Sequence, residues 1–337
     1  MKMGMSIMVL LSGCIAISTN AEMGDGYNDS ETFTTRVKPS EIRDDDMRLE
    51  WNQAANHLTT QRDFPPHKRA YLHQRNIEYA KVDGRPLRLD LIRPSGIGPH
   101  PLIIWIHGGG WKQGDKRIKL SHPVRQQVRR GYAVASIEYR LSHETVFPGQ
   151  IQDCKAAIRW LRGNAQTFHL DPAAFIVWGS SAGGHLSALL GTSGDVAALE
   201  DLSMGYPRVS SRVQGVVDWY GPTDLLQMGG KHNLESSPES LLIGCPIQSC
   251  PQQAAKASPI AYISTDDPPF FIQHGTSDRV VPFKQSELLY TALKKFGVPV
   301  NFIALEHARH SDQRFLGPDN VKQIETFLDR VVGKTQP

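Results

Sequence analysis

The chain has 337 residues, 40% of them hydrophobic, which is enough for one large α/β domain or two small ones. Its formal net charge is +3 with the 13 histidines counted as neutral, and no block of basic residues stands out. This balance excludes the concentrated positive charge of a nucleic-acid-binding protein, so we expect no nucleic-acid partner.

Residues 1–21 have the pattern of an export signal. Lys2 supplies a positive charge, and the apolar run over 3–17 is too short to span a bilayer. Two processing routes stay open: small residues at Thr19-Asn20-Ala21 fit an ordinary signal peptide, whereas Leu11-Ser12-Gly13-Cys14 resembles a bacterial lipobox that ends at a lipidated Cys14. Either route predicts export to the bacterial periplasm or beyond, with membrane attachment only if Cys14 carries lipid.

A polar extension over 22–75 follows, and we assign it no chemistry beyond one helix expected near 42–57. The catalytic domain is predicted over 76–333. It starts with two segments of alternating polar and apolar residues on either side of Asp83-Gly84. This alternation around a turn dipeptide predicts a β-hairpin at a half-exposed sheet edge.

Downstream, apolar runs alternate with segments of helical period. Strands are predicted over 102–106, 132–138, 175–178, 213–220, 269–274 and 300–305, and helices over 124–130, 151–168, 182–190, 283–296 and 321–332. Such alternation predicts the α/β fold class, with a mostly parallel central sheet and helices on both faces.

Residues 221–264 interrupt the alternation. They are rich in Gly, Pro and Ser and have no long apolar period, so we expect an insertion near the carboxyl ends of the strands, either a lid or a surface loop. Cys245 and Cys250 lie within it and are expected to form a disulfide in an oxidising compartment, with two free thiols as the alternative. Cys154 falls on the apolar face of a predicted helix, and no cysteine cluster has the spacing of a zinc site.

The turn between the strand 175–178 and the helix 182–190 carries the first catalytic signal. Gly179-Ser180-Ser181-Ala182-Gly183 fits Gly-x-Ser-x-Gly, the pattern that holds a nucleophilic serine on a sharp strand-to-helix turn. Only Ser181 lies midway between the two glycines, so Ser181 is the predicted nucleophile. Five residues alone are weak evidence, because Gly and Ser are common in ordinary turns.

A glycine loop upstream strengthens this interpretation. The strand 102–106 ends in His107-Gly108-Gly109-Gly110-Trp111, and successive glycines after a central strand expose backbone N–H groups that can stabilise a developing oxyanion. His107 and His185 flank the loop and the serine turn, and we expect both to orient backbone rather than to transfer protons.

A serine hydroxyl needs an imidazole base and a carboxylate that fixes the tautomer of that base. Asp278 follows the strand 269–274, and His310 follows the strand 300–305, which is the chain order Ser, Asp, His of α/β-hydrolases. His307 stays open as the alternative base. Other aspartates lie before the first of these strands or after an earlier one, namely Asp266, Asp267, Asp218 and Asp224.

Together these residues resemble the serine esterases of the α/β-hydrolase fold that carry a His-Gly-Gly-Gly-Trp oxyanion loop, close to hormone-sensitive-lipase-like and bacterial feruloyl-esterase-like enzymes. The resemblance runs from about 76 to 332. Its further motifs are Glu138-Tyr139-Arg140, Asp153-Cys154-Lys155-Ala156-Ala157, Tyr220-Gly221-Pro222-Thr223-Asp224 and His274-Gly275.

The resemblance implies Ser181 as nucleophile, His310 as base and Asp278 as its orienting acid. It also implies the backbone N–H groups of Gly109, Gly110 and Ala182 as the oxyanion hole. One departure is that His307, Arg309 and Ser311 occupy the base loop, where the family usually has glycines beside the histidine. Three aromatic residues are predicted as pocket walls: Trp111, Trp219 and Tyr220.

The predicted function is therefore hydrolysis of small-molecule or polysaccharide-linked carboxylic esters, with acetyl and feruloyl groups on plant polysaccharides as the suggested substrates. No metal or organic cofactor is expected. Two alternatives stay open: an amide hydrolase of the kynurenine formamidase kind, and a catalytically inactive hydrolase fold used for binding.

Overall fold

A computed structural model describes residues 3–10, 14–21 and 71–334. Met3–Leu10 and Cys14–Ala21 form an antiparallel strand pair within the predicted export signal, whose processing stays a prediction. The helix predicted near 42–57, and the polar extension up to residue 70, lie outside the described residues. The unit that begins at Arg69 carries the predicted site and is described by itself below.

One eight-stranded sheet organises this unit, in the order β8-β7-β6-β5-β3-β4-β2-β1. Strands β3 to β8 are parallel to one another, and β1 and β2 add an antiparallel edge. Their bounds are β1 Tyr71–Val82, β2 Arg85–Pro94, β3 His100–Ile106, β4 Ala133–Ile137, β5 Leu170–Ser180, β6 Gly215–Trp219, β7 Phe270–Gly275 and β8 Val300–Leu305.

The edge hairpin turns where the sequence predicts, because Asp83 and Gly84 both adopt the positive φ values, 48° and 83°, that a tight two-residue hairpin turn requires. Its first strand nevertheless begins at Tyr71, earlier than the predicted 76. Residues 71–76 are mostly exposed, and register shifts between Gln74 and Ile77 interrupt the alternation that marks a strand in the sequence.

Seven α-helices lie in this described unit: α1 Pro123–Gln126, α2 Gly149–Gly163, α3 Ala182–Thr192, α4 Pro238–Ile243, α5 Pro251–Lys256, α6 Lys284–Lys295 and α7 Pro318–Val331. Helix α2 ends at Gly163 rather than at the predicted 168. The chain turns there because the Asn164 side chain donates back to the Trp160 carbonyl (2.8 Å) and to the Tyr206 hydroxyl (2.7 Å).

The sheet buries both of its faces. On one face its side chains pack against α2, α3 and α6, with Ile158, Leu189 and Leu289 fully buried. On the other face they pack against α1 and α7, with Val124 and Phe327 buried. This arrangement of helices on both sides of a mostly parallel sheet confirms the predicted α/β-hydrolase fold class.

The segment 221–264 forms α4, α5 and four short 3₁₀-helices, Leu225–Gln227, Gly230–Asn233, Ile247–Ser249 and Pro259–Tyr262. Cys245 and Cys250 within it are joined by a disulfide, S–S 2.08 Å. Cys154 on α2 is buried with a free thiol. Among the described residues, we find no helix with both the length and the apolar character needed to cross a membrane.

Candidate active site

Ser181 lies between the end of β5 and the start of α3, in a strained conformation with φ 56° and ψ −121°. The turn is so tight that a Cβ at Gly179 would lie 2.1 Å from the Gly183 carbonyl oxygen. A Cβ at Gly183 would lie 2.0 Å from the Ile106 carbonyl oxygen. Only glycine therefore fits at both positions, which explains the spacing of the motif. The turn holds the serine at the carboxyl end of the parallel strands.

His310 and Asp278 meet at this serine. His310 Nε2 lies 3.0 Å from Ser181 Oγ, and His310 Nδ1 lies 2.6 Å from Asp278 Oδ2. His307 does not take this position, since its backbone amide donates to Thr276 Oγ1 (2.8 Å) and the residue is exposed. The structure thus brings together the three residues predicted from the sequence, in an arrangement that can pass the serine proton to an oriented imidazole.

The Asp278 carboxylate is fully buried and has four donors around it. Oδ1 accepts the amides of Val280 (2.7 Å) and Val281 (3.0 Å), while Oδ2 faces both His310 and His274 Nε2, the latter at 3.2 Å. Burial acts to raise the pKa of Asp278, but the hydrogen bonds from His274 and His310 outweigh it and hold that pKa well below its usual value. The carboxylate is therefore charged at neutral pH.

His274 makes a contact that the sequence pattern does not predict. It is fully buried on β7, its Nδ1 lies 2.7 Å from Ser286 Oγ, and its Nε2 lies 3.0 Å from the Val281 carbonyl oxygen as well as near Asp278. The sequence does carry one signal for this contact: a histidine ends an apolar strand four residues before Asp278.

The glycine loop supplies free amides beside the serine. Gly109 and Gly110 adopt φ values of 117° and 60°, and within 71–334 neither amide donates a hydrogen bond. Ala182 is the first residue of α3, where amides have no acceptor inside the helix. All three residues border the same cleft as Ser181, so their N–H groups are placed to act on an oxyanion there.

Two buried histidines hold this loop. His107 Nδ1 lies 2.8 Å from the Gly108 carbonyl, and its ring stacks on Tyr139 at 4.4 Å. His185 Nδ1 accepts the Trp111 indole N–H at 3.2 Å, and its Nε2 lies 2.7 Å from the Ala257 carbonyl. Burial lowers the pKa of both, that of His185 to about 4, so both rings are neutral and make orienting contacts at neutral pH.

The cleft over Ser181 has a volume of about 660 Å³. Of the three aromatic residues predicted as its walls, Trp111 borders it, whereas Trp219 and Tyr220 do not. Trp219 points to the α1 and α7 side of the sheet and packs against Trp178 at 5.0 Å. Tyr220 instead packs its ring against His310 at 4.6 Å, so it supports the base rather than the substrate.

Two further residues that the sequence does not single out border this cleft. His232 Nδ1 lies 2.9 Å from Glu239 Oε1, and both residues are buried. They come from the segment 221–264, which therefore contributes to the wall of the cleft. The sequence offers little to find them, because the pair forms between a 3₁₀ turn and a six-residue helix without apolar period.

Comparisons with known proteins find similarity to one protein family and to esterases. The BD-FAE family model matches residues 89–293. The esterase LipQ of Mycobacterium tuberculosis is 32% identical, and the match covers 73% of this chain and 59% of LipQ. The probable carboxylic ester hydrolase LipM of the same organism is 30% identical, and the match covers 72% of this chain and 57% of LipM. The chain thus spans less than three fifths of either relative. A truncated carbohydrate esterase from gut microbiota superposes with a TM-score of 0.72 at 30% identity, over 80% of this chain and 99% of that one.

Proposed function

Because the chain belongs to the BD-FAE family of α/β hydrolases, we propose that it is a serine esterase that hydrolyses carboxylic esters through an acyl-enzyme on Ser181. The observation that carries the proposal is the continuous hydrogen-bonded series from Ser181 Oγ through His310 to Asp278. The names of the relatives, esterase and carboxylic ester hydrolase, support the same reaction class.

In the acylation step, Ser181 Oγ attacks the ester carbonyl carbon while His310 Nε2 takes the hydroxyl proton. The carbonyl oxygen becomes an oxyanion, which the amides of Gly109, Gly110 and Ala182 stabilise. Asp278 accepts the Nδ1 proton of His310 in a hydrogen bond and stabilises the imidazolium. When the intermediate collapses, the ester C–O bond breaks and His310 donates its proton to the departing alcohol oxygen.

In the deacylation step, a water molecule replaces the alcohol. His310 Nε2 takes a proton from this water as its oxygen attacks the acyl carbon, and the same amides stabilise the second oxyanion. Collapse breaks the bond to Ser181 Oγ, and His310 returns the proton to that oxygen. The carboxylic acid leaves and the enzyme regains its starting protonation state.

The proposed substrates are acetyl or feruloyl esters on plant polysaccharides. The carbohydrate esterase from gut microbiota supports this class, as does the polar border of the cleft. That border includes the exposed side chains of Lys112, Gln113, Lys231 and Ser236. Exposed Leu234 and Val280 border the cleft as well, so its mouth offers both polar groups for a hydroxylated alcohol and apolar contacts for an acyl group.

Export is a separate part of the proposal. It is supported by the apolar run after Lys2 and by the Cys245–Cys250 disulfide, which suits an oxidising compartment. Export is tested by measuring the intact mass of the protein in separate fractions of the bacterial cell. Cleavage after Ala21 or a diacylated Cys14 supports export, and a full-length chain in the cytosolic fraction contradicts it.

The reaction is tested by measuring hydrolysis of 4-nitrophenyl acetate, 4-nitrophenyl butyrate and methyl ferulate by the purified protein and by Ser181→Ala. We expect turnover of at least one ester by the wild type and a loss of roughly 10⁶-fold in kcat in the variant, as when the nucleophile of a serine hydrolase is removed. A folded Ser181→Ala protein that keeps the activity contradicts the assignment.

A further inference from the structure

The active-site cleft holds a second histidine–carboxylate pair that the proposed reaction does not use. His232 and Glu239 both border the cleft, and His232 Nδ1 lies 2.9 Å from Glu239 Oε1. The side chains are 9% and 4% exposed. Taking such a pair out of water costs desolvation energy, which the contact between its two partners must offset.

The contact fixes which atoms remain available. When Nδ1–H donates to the Glu239 carboxylate, the neutral ring carries its lone pair on Nε2. Nε2 of His232 has no hydrogen-bond partner in the described part of the chain. The second carboxylate oxygen, Glu239 Oε2, likewise lacks a partner among the described residues. Nε2 of His232 is therefore the acceptor that a ligand in the cleft can reach, and Glu239 Oε2 is a buried acceptor without a donor within residues 71–334.

Local folding does not account for these acceptors. Glu239 stands in the first turn of α4, but the helix is already capped by Ser237 Oγ, which accepts the Ser240 amide at 3.0 Å. A buried acceptor left without a donor costs about 1–3 kcal/mol. This cost falls on Glu239 Oε2, whereas Nε2 of His232 stays open to a donor that enters the cleft with the substrate.

The pair is also held close to the reaction centre. A Cβ at Gly110 would lie only 3.3 Å from the Cβ of Pro238, the residue before Glu239. Helix α4 thus packs directly on the glycine loop whose amides face the oxyanion. A group bound at His232 therefore lies in the same cleft as the ester that Ser181 attacks.

We propose that His232, oriented by Glu239, binds a hydroxyl group on the alcohol part of the substrate. A hydroxyl group is the donor that Nε2 of His232 lacks. An acetyl group carries no hydroxyl, and the phenol of a feruloyl group lies at the far end of the acyl chain from the ester, so we assign the hydroxyl to the alcohol. The site then prefers esters of ring polyols, such as partly acylated sugars, over esters of plain alcohols. This inference rests on the proposed esterase function and specifies its substrate class.

The test compares two acetates with six-membered rings: methyl xylopyranoside monoacetate, whose ring has two free hydroxyl groups, and cyclohexyl acetate, which has none. The variant is His232→Asn, because the asparagine amide can still donate to Glu239 while the Nε2 acceptor is lost. His143→Asn is the matched control, since His143 is exposed and does not border the cleft.

We expect the wild type to prefer the sugar ester, and His232→Asn to lower its kcat/KM for that ester by about 10-fold, the effect of one hydrogen bond. The kcat/KM of His232→Asn for cyclohexyl acetate should stay within about twofold of the wild-type value. His143→Asn should stay within about twofold of the wild type on both esters. Equal losses on both esters in His232→Asn, or no loss on the sugar ester, overturn the inference.

Two further measurements cover the remaining outcomes. If His232→Asn does not fold, the ester preference of the wild type and of Glu239→Gln is measured instead. A wild type without a preference for the sugar ester overturns the inference. A wild-type preference that Glu239→Gln reduces supports it. If the wild type hydrolyses cyclohexyl acetate and 4-nitrophenyl acetate but not the sugar ester, the esterase function stands and the inference fails. A folded wild type that hydrolyses none of these esters overturns both.

Discussion

At the scale of single residues, the site is built around the charge of Asp278. Its Oδ2 faces two imidazoles, His310 at 2.6 Å and His274 at 3.2 Å, and two backbone amides occupy Oδ1. These donors keep the carboxylate ionised despite complete burial of its side chain. A charged Asp278 holds the proton of His310 on Nδ1 and leaves Nε2 free to accept the proton of Ser181.

Asp278→Asn should therefore impair catalysis without removing the side chain. Asparagine can turn its amide N–H toward His310 Nδ1, which places the ring proton on Nε2, the wrong tautomer for a base. We expect kcat for 4-nitrophenyl acetate to fall by roughly 10⁴-fold, the size of this effect in other serine hydrolases.

His307→Asn serves as the control for this substitution, because His307 is the alternative base that the sequence left open. Its exposed side chain should be dispensable, with kcat within about twofold of wild type. A large loss of activity in His307→Asn together with an active Asp278→Asn would show that His307, and not His310, is the base.

The sequence predicts Ser181, Asp278 and His310 because topology places them: each follows the end of a parallel strand, and such ends share one edge of the sheet. It does not predict that His232 meets Glu239 or that His274 meets Asp278. Those contacts depend on side-chain directions in short irregular segments and at a strand end. Trp219 was misplaced for the same reason, since the sequence did not reveal which face of β6 it occupies.

At the scale of elements, backbone strain is concentrated at the turn between β5 and α3 and in the loops around it. Ser181 is a non-glycine residue at positive φ, and so are Trp111, Tyr220, His307 and Ser311 around it. Each such residue costs of order 1–3 kcal/mol, which surrounding contacts must offset. Nearby, the Ser181 amide donates to the Trp219 carbonyl at 2.8 Å, which ties the turn to β6.

Gly183→Ala should break this arrangement. Its new Cβ would lie 2.0 Å from the Ile106 carbonyl oxygen, so either β3 or α3 must move. We expect a loss of about 3 kcal/mol or more in the free energy of unfolding, measured by denaturant titration, with activity lost as well. Gly96→Ala is the matched control, because its new Cβ would come no closer than 4.0 Å to His100. Equal stability of the two variants would contradict the tight turn.

The regular elements were predictable because long apolar periods mark them, and β8 has the predicted bounds, 300–305. The segment 221–264 was predictable only as an interruption. Its helices have six residues or fewer and gain their stability from packing against the domain, which leaves no period in the sequence.

At the scale of the whole molecule, Asp218 links stability to pH. The side chain is buried on β6, Oδ1 accepts the Gly221 amide at 2.9 Å, and within the described unit Oδ2 has no partner. Burial raises the pKa of Asp218 from 3.8 to about 7. The folded state thus keeps a proton that the unfolded state releases, and this contribution to stability falls as pH rises from about 4 to about 7.

Asp218→Asn removes this titration. Relative to wild type, the variant should gain roughly 2 kcal/mol in the free energy of unfolding between about pH 5 and about pH 7, since each tenfold difference in proton affinity between the folded and unfolded states is worth about 1.4 kcal/mol. Denaturant unfolding at both pH values measures the difference. Val216→Ala on the same strand has no titrating group, so its difference from wild type should not change with pH. A pH-independent difference for Asp218→Asn would show that the carboxyl is already charged.

The measurement that tests the central claim most directly is covalent capture of the nucleophile. The protein is incubated with a fluorophosphonate, which reacts with activated serines, and the adduct is located by intact mass and peptide mapping. We predict one adduct per chain, on Ser181, absent in Ser181→Ala and formed much more slowly in His310→Gln, where no imidazole takes the proton. An adduct on another residue, Ser180 included, or a folded protein that does not react, would contradict a serine esterase built on Ser181.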